Sequence, residues 1–295
     1  MGDGFAAALA HFGVECTDTV KERGAFYCTT PRGRLRLAKA NDPIDAIQCA
    51  HALKEHLAQA GFPLTDRYVV DAEGTPFVHI GTDCYTLLHA PESTPLDPAD
   101  PAQALQTLAS FHVAARSFLH PAPPAPSLAE NFLRGKETLA AALKQIRKQK
   151  QRSDFDILLL KNAPQYEARI SDALAQLGAS SYAALPQQFC HNLVKDDHFS
   201  CTQGGIFMSH FTAAAPQVVL HDLALFVRHF AAPQDAALDA YHAVNPLPRD
   251  AADILGALLA YPTNFIHIVE QYYAKKRTWI PGALIKRLEE EVAIP

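Results

Sequence analysis

Residues 189–199 read Phe189-Cys190-His191-Asn192-Leu193-Val194-Lys195-Asp196-Asp197-His198-Phe199, and residues 220–228 read Leu220-His221-Asp222-Leu223-Ala224-Leu225-Phe226-Val227-Arg228. The stretch joining them is short, mixed and strand-like, with Gly204-Gly205 as a hairpin turn. From His198 to His221 it holds no Asp or Glu. Helical patterning then resumes at Asp222 and runs to Glu291.

Upstream, residues from Asp100 onward are patterned as helix. Leu105, Leu108, Phe111, Ala115 and Leu119 form one stripe, and Leu139, Leu143 and Ile146 another. A helix is expected from Ile157 to Leu177 with a break at Pro164. The prolines at 121–126 read as a stiff link, and those of 91–101 as a connector. The first ninety residues are different. Val14–Val20, Ala25–Thr30 and Arg34–Lys39 read as strands, with turn chemistry at Pro31-Arg32-Gly33. In the third, Leu35, Leu37 and Lys39 share a face and Arg34 and Arg36 take the other. Next comes a helix with Asp42 as cap, Pro43 in its first turn, an apolar stripe of Ile44, Ile47, Ala50, Leu53 and Leu57, and Gly61-Phe62-Pro63 as its end. Strands are expected near Arg67–Val70 and Phe77–Leu88, with Glu73-Gly74 turning between them. The order β-β-β-α-β-β, a connector, and a helical remainder with a β insert predicts an α+β, two-lobed chain. The lobes are residues 1–90, rich in strand, and 91–295, mostly helical.

Composition narrows the function. The chain has 295 residues, 48% of them apolar and 19% charged, which excludes a disordered protein. No unbroken apolar run approaches the ~20 residues of a membrane span, and the first residues have no basic region of a signal peptide. A net charge of −5 argues against nucleic acid as the main partner. The six cysteines show no C-x-x-C spacing, so a zinc ribbon, a thioredoxin motif and a disulfide scaffold are not expected. Reduced thiols in a protein made in the cytosol is the plain reading.

Several stretches together resemble the CotS-type spore coat proteins, a branch of the kinase-like and aminoglycoside phosphotransferase-like superfamily. Phe189-Cys190-His191 resembles the opening of that family's catalytic loop, and Leu220 to Arg228 its Asp-Leu-Ala helix start. Asp239-Ala240-Tyr241 with Asn245-Pro246-Leu247 is similar to another of its stretches. Tyr261-Pro262, Phe265, Tyr272-Tyr273, Lys275 and Trp279 resemble its tail, and Ser153, Phe155 and Asp156 a segment before the loop. The first lobe matches more loosely, at Arg23-Gly24, Thr30, Gly33 and the Leu37-Ala38-Lys39 strand. The resemblance implies a protein-kinase-like fold, location in the spore coat, and other spore coat proteins as partners. It also implies that His191 packs beneath the loop and that Asp222 accepts hydrogen bonds from it, both as scaffold.

Phosphoryl transfer in this fold needs a carboxylate near the attacking hydroxyl, an Asn about five residues on, and an Asp after the hairpin that holds Mg²⁺. Laid without gaps, these positions fall on Leu193, His198 and His210. Sliding Asp196 or Asp197 into the first position puts Cys201 or Thr202 in the second. In no register does an acidic residue follow the hairpin. Imidazoles suit softer metals than Mg²⁺. The expectation is a degenerate site: no catalytic residue, no metal ligand, and a pseudokinase role in the coat. A small-molecule phosphotransferase with rearranged residues is the alternative. A third reading is metal-free nucleotide binding.

For ATP, the candidate phosphate contact is Lys39, if Leu35 and Leu37 line the inter-lobe cleft; the family register places Ala38 there instead. No glycine-rich phosphate loop is present. Cys190, His191, His198, Cys201 and His210 are close enough in sequence to suggest zinc, but their spacing fits no familiar module, and the two cysteines read as small core residues. The basic run Lys144–Arg152 reads as an exposed helix end, Asp196-Asp197 as a solvated turn, and His79, His112, His229 and His267 as packing or surface residues.

Overall fold

The computed structural model describes residues 3–22, 24–31, 33–97, 101–120, 127–274 and 281–293. The readings that rest on Arg23, Arg32, Lys275, Trp279, the link at 121–126 and part of the connector at 98–100 lie outside these residues. Contacts group the chain into two compact units, 1–124 with 186–247 and 125–185 with 248–295. This grouping follows packing, and is a different kind of division from the lobe boundary expected at residue 90.

The first unit opens with a helix absent from the sequence reading, α1 (Asp3–His11). Strands β1 (Asp18–Glu22), β2 (Ala25–Thr30) and β3 (Gly33–Ala40) follow, then α2 (Ile44–Gln59), β4 (Val78–Ile80) and β5 (Asp83–His89). They form one antiparallel sheet in the order β1-β2-β3-β5-β4. The stretch read as one strand from Phe77 to Leu88 is a hairpin, folded at Gly81 with φ +63°. Arg67–Val70 joins the sheet through a Tyr68–Leu88 bridge and a Val69 amide bond to the Leu87 carbonyl at 2.8 Å.

Alternation along β3 sorts its residues to two faces. Leu35 and Leu37 pack with Phe26, Cys28, Tyr85 and Leu87, and Ala8 and Leu9 of α1 with Phe12 just after it close that face into a core. The expectation that Leu35 and Leu37 line a cleft is thereby corrected. A period of two shows which residues share a face, whereas the cover supplied by α1 decides which face is inside. Arg36 and Ala38 point the opposite way, and the Arg36 charge is felt by Lys54 of α2.

Asp42 does not cap α2. Pro43 takes that position without a side-chain bond, and the Asp42 carboxylate accepts from the Thr212 hydroxyl at 3.0 Å. Beyond β5, β6 (Thr94–Pro95) pairs with β8 (Phe199–Thr202), which forms a hairpin with β9 (Gly205–Met208). In α3 (Ala102–Ala115), Leu105, Leu108, Phe111 and Ala115 are buried as expected. Leu119, read as part of that stripe, lies past the helix end and is 92% exposed. β7 (Gln188–Cys190) pairs with β10 (Ala215–Gln217), and α6 (Leu220–Phe230) and α7 (Gln234–His242) complete the unit.

The second unit is helical: α4 (Leu128–Lys148), α5 (Asp154–Ala179), α8 (Ala251–Ala260), α9 (Thr263–Tyr273) and α10 (Pro281–Val292). Capping boxes start α4 at Ser127 with Glu130 and α5 at Ser153 with Asp156. α5 runs through Pro164 without the expected break. Its buried stripe of Phe155, Leu159, Ala163, Tyr166, Ile170, Ala173 and Leu177 continues on both sides of the proline, and that burial outweighs one lost backbone bond. Stacked rings tie the helices: Phe132 on Tyr261, Phe155 on Tyr272 and Tyr166 on Phe265, all with centroids 3.6 to 3.7 Å apart. By length and composition Ala251–Tyr273 could cross a membrane; it folds as two helices parted at Pro262, with 56% of that window buried.

Gly135 sits where α4 meets this aromatic layer. A Cβ there would stand 2.0 Å from the Tyr261 hydroxyl and 3.1 Å from Ile266. Gly135→Ala should therefore destabilise by about 1–3 kcal/mol, against the ~1 kcal/mol that alanine gains inside a helix. Urea unfolding showing a stabilised variant would contradict this packing.

Candidate functional site

The site is organised by one buried carboxylate. Asp222, in the first turn of α6, is fully buried. It accepts hydrogen bonds from the amides of His191 at 2.6 Å and Asn192 at 2.8 Å, and from His112 Nε2 at 2.9 Å. His112 Nδ1 in turn lies 2.6 Å from the Tyr241 hydroxyl, which accepts from Asn245. Burial alone would raise the Asp222 carboxyl, but the bond from His112 and the surrounding imidazoles outweigh it and the net shift is downward. The loop after β7 is thus pinned by its backbone. Asn192 takes the left-handed conformation, φ +60°, and its side-chain Nδ2 donates to the Ala213 and Ala215 carbonyls. His191 packs beneath the loop and its Nε2 donates to the Ser209 carbonyl at 2.8 Å.

The three template positions are brought together. Leu193 is partly exposed, and its carbonyl accepts from His198 Nδ1 at 2.5 Å. The His198 and His210 rings stack with centroids 4.5 Å apart, and His191 lies 5.4 Å from His198. Burial, then His210 and His191, lower the His198 pKa to about 4. His210 is left-handed, φ +67°, and its Nδ1 lies 2.8 Å from the Ser209 hydroxyl. Asp196 and Asp197 are exposed, and Asp196 pairs with His229 at 3.0 Å.

A carboxylate from elsewhere in the chain does reach His210. Asp66 Oδ2 accepts from the His210 amide at 3.2 Å. Its Oδ1 is 2.7 Å from Lys54 Nζ, on α2, and Nζ also donates to the Asp66 carbonyl at 2.8 Å. The Lys54 side chain is 1% exposed and lies over the Tyr68 and Phe211 rings. These residues do not fit a magnesium ion. The two positions where the ungapped template would put metal ligands hold imidazoles, and the carboxylate that arrives is already paired with Lys54.

Lys39 lies on the α1 side of the sheet. Its ammonium is 2.5 Å from Asp83 and 5.9 Å from the Tyr85 ring centre, with the side chain about half exposed. Arg36, rather than Lys39, shares surroundings with His210 and Lys54. Of the suggested zinc set, Cys190 is buried against the Gln217 carbonyl, while Cys201 lies in the other sheet on β8. Among the described residues the metal-ligating atoms that converge are those of His112, Cys190 and Asp222, and both His112 nitrogens are engaged.

The model of the family described as "Spore coat putative kinase YutH" matches residues 8–293. The chain belongs to that family. An aminoglycoside phosphotransferase from Alicyclobacillus acidocaldarius superposes with a TM-score of 0.80 at 18% identity, covering 98% of this chain and 91% of that one. Spectinomycin phosphotransferase, solved with ADP and spectinomycin, gives 0.66 at 10% identity, over 97% and 92%. Macrolide 2'-phosphotransferase from Brachybacterium faecium gives 0.60 at 15%, over 100% and 99%. At these identities the likeness shows the fold, which is protein-kinase-like. Among curated proteins none matches.

In this spore coat family member, sequence reading missed Lys54, Asp66, His112 and Tyr241. Lys54 carried a signal: it falls three or four residues from Ala50 and Leu57 on a buried helix stripe, where a lysine needs a partner. Asp66 carried none, because His210 lies 144 residues away; Tyr241 lies in a stretch of the family resemblance, but its contact with His112 joins residues 129 apart and gives no local signal.

Two measurements test this account. Asp222→Asn replaces one of the two accepting oxygens by an NH₂ group, which then faces the backbone amide of either His191 or Asn192, and should cost roughly 2–4 kcal/mol in urea unfolding; an unchanged midpoint would contradict the pinning role. The second concerns acid. His198 is harder to protonate folded (pKa about 4) than unfolded (~6.5), so the unfolded chain binds the proton first. Its neutral form supports the fold fully above about pH 6.5, and that support, up to about 3 kcal/mol, is lost as pH falls towards 4. His198→Phe should flatten this part of the stability–pH curve, and an unaltered slope would count against it.

Proposed function

We propose that this chain is a pseudokinase of the spore coat, acting as a structural or interaction component and not by phosphoryl transfer. One observation carries the reading. Where the fold places an acidic metal ligand after the hairpin stands His210, and the carboxylate that reaches it is spent on Lys54 and a backbone amide. Charge neutralisation by metal is the main help such a transfer needs. The persistence of the Asp222 and His191 bonds beside these losses suits a retained scaffold. The family supports a coat location, with other coat proteins as the proposed partners.

The arrival of Asp66 beside His210 favours one second reading, an ATP-dependent small-molecule kinase with rearranged ligands. Calorimetry and thermal shift with Mg-ATP and Mn-ATP, alongside assays for phosphate release by purified protein, separate the two. The scaffold reading expects no turnover, and metal-dependent hydrolysis or transfer would overturn it. If nucleotide raises the melting temperature in EDTA, the third reading gains, and Lys39→Met against Arg36→Met tells which face of β3 meets the phosphates.

A further inference from the structure

We propose that Lys54 and Asp66 form a latch that holds the Ser209–Thr212 segment against α2 without a divalent ion, the Lys54 ammonium giving Asp66 the counter-charge that a metal would otherwise supply. The proposal rests on the reading above only in taking this segment as the degenerate metal-binding turn. Its test measures order in the segment and not catalysis, so either can fail alone.

Four contacts bind the segment and its flank to α2 and the loop after it. The Met208 amide donates to the Leu64 carbonyl at 2.9 Å, and the Asp66 amide to the Met208 carbonyl at 3.3 Å. The His210 amide donates to the Asp66 carboxylate, and the Thr212 hydroxyl to Asp42 just before α2. The helix is thus gripped near both of its ends. Phe211, 1% exposed, completes the seat, with its ring 5.5 Å from Lys54 Nζ and in edge contact with Phe111 and His191.

Two features show that the grip is under tension and that the ion pair holds it. His210 occupies left-handed backbone, which costs a non-glycine residue free energy and persists only where neighbours over-determine it. Lys54 is buried, and among the described residues its charge is met by the Asp66 carboxylate at 2.7 Å, the Asp66 carbonyl at 2.8 Å and the faces of Tyr68 and Phe211. Burial does lower the Lys54 pKa, with Asp66 opposing. Asp66 therefore does two jobs with one carboxylate. One oxygen is ion-paired with the buried ammonium, and the other accepts from the amide of the strained residue.

Hydrogen exchange of the whole chain, read by mass spectrometry on peptides spanning 205–213, tests the latch. In the wild type, protection there should be the same in EDTA and in millimolar Mg²⁺ alone. Lys54→Met and Asp66→Asn should each speed exchange at 208–212 by about tenfold or more, while peptides of α5 stay protected. The double variant should be disturbed less than the two singles combined, since it removes both members of the pair. Additive effects, unchanged exchange in Asp66→Asn, or wild-type protection that rises with Mg²⁺ would each overturn the proposal. Should Lys54→Met fail to fold, the Asp66→Asn and wild-type magnesium arms still decide it.

Discussion

A carboxylate taken wholly out of water must be met by donors, and Asp222 meets that demand with two consecutive backbone amides and an imidazole. Everything near the site depends on this bond set. It fixes the turn at His191 and Asn192, which fixes where Leu193 and His198 fall. His191, so placed, holds Ser209 and with it the start of the segment carrying His210. Because the donors are mostly main chain, the arrangement depends little on which side chains the loop carries, here Leu193 and His198, with His210 stacked on His198.

The second constraint is the buried charge of Lys54. Its partner is supplied by the loop after its own helix, and that partner also serves the loop carrying His210. Helix, loop and hairpin become one packed body around a single ion pair. Burial lowers the pKa of His191, His198 and His210 around it, and for His191 and His198 a neighbouring imidazole adds to the shift.

Legibility differed by feature. β2, β3, α2 and the stripe of α3 were readable because each is decided by local periodicity and turn residues. The scaffold bonds of His191 and Asp222 were readable from residue identity and order. α1 was not, since its short apolar run shows no clear stripe until the core it covers is seen. Pro164 misleads because its local cost is visible in the sequence, whereas the burial on either side that offsets it is not. The hairpin at Gly81 was hidden in a continuous strand-like run. Leu119 was assigned to a stripe that its helix does not reach.

Sequence alone determined the family resemblance, the element plan and the lack of any acidic residue between Asp197 and Asp222. These are properties of identity and order, which need no third dimension. Tertiary structure decided which face of β3 is covered, that Lys39 pairs with Asp83 while Arg36 faces the site, and that Asp66 crosses 144 residues of chain to reach His210. Such facts rest on side chains brought together by packing, and periodicity carries no information about what will lie opposite a face once the chain has closed on itself.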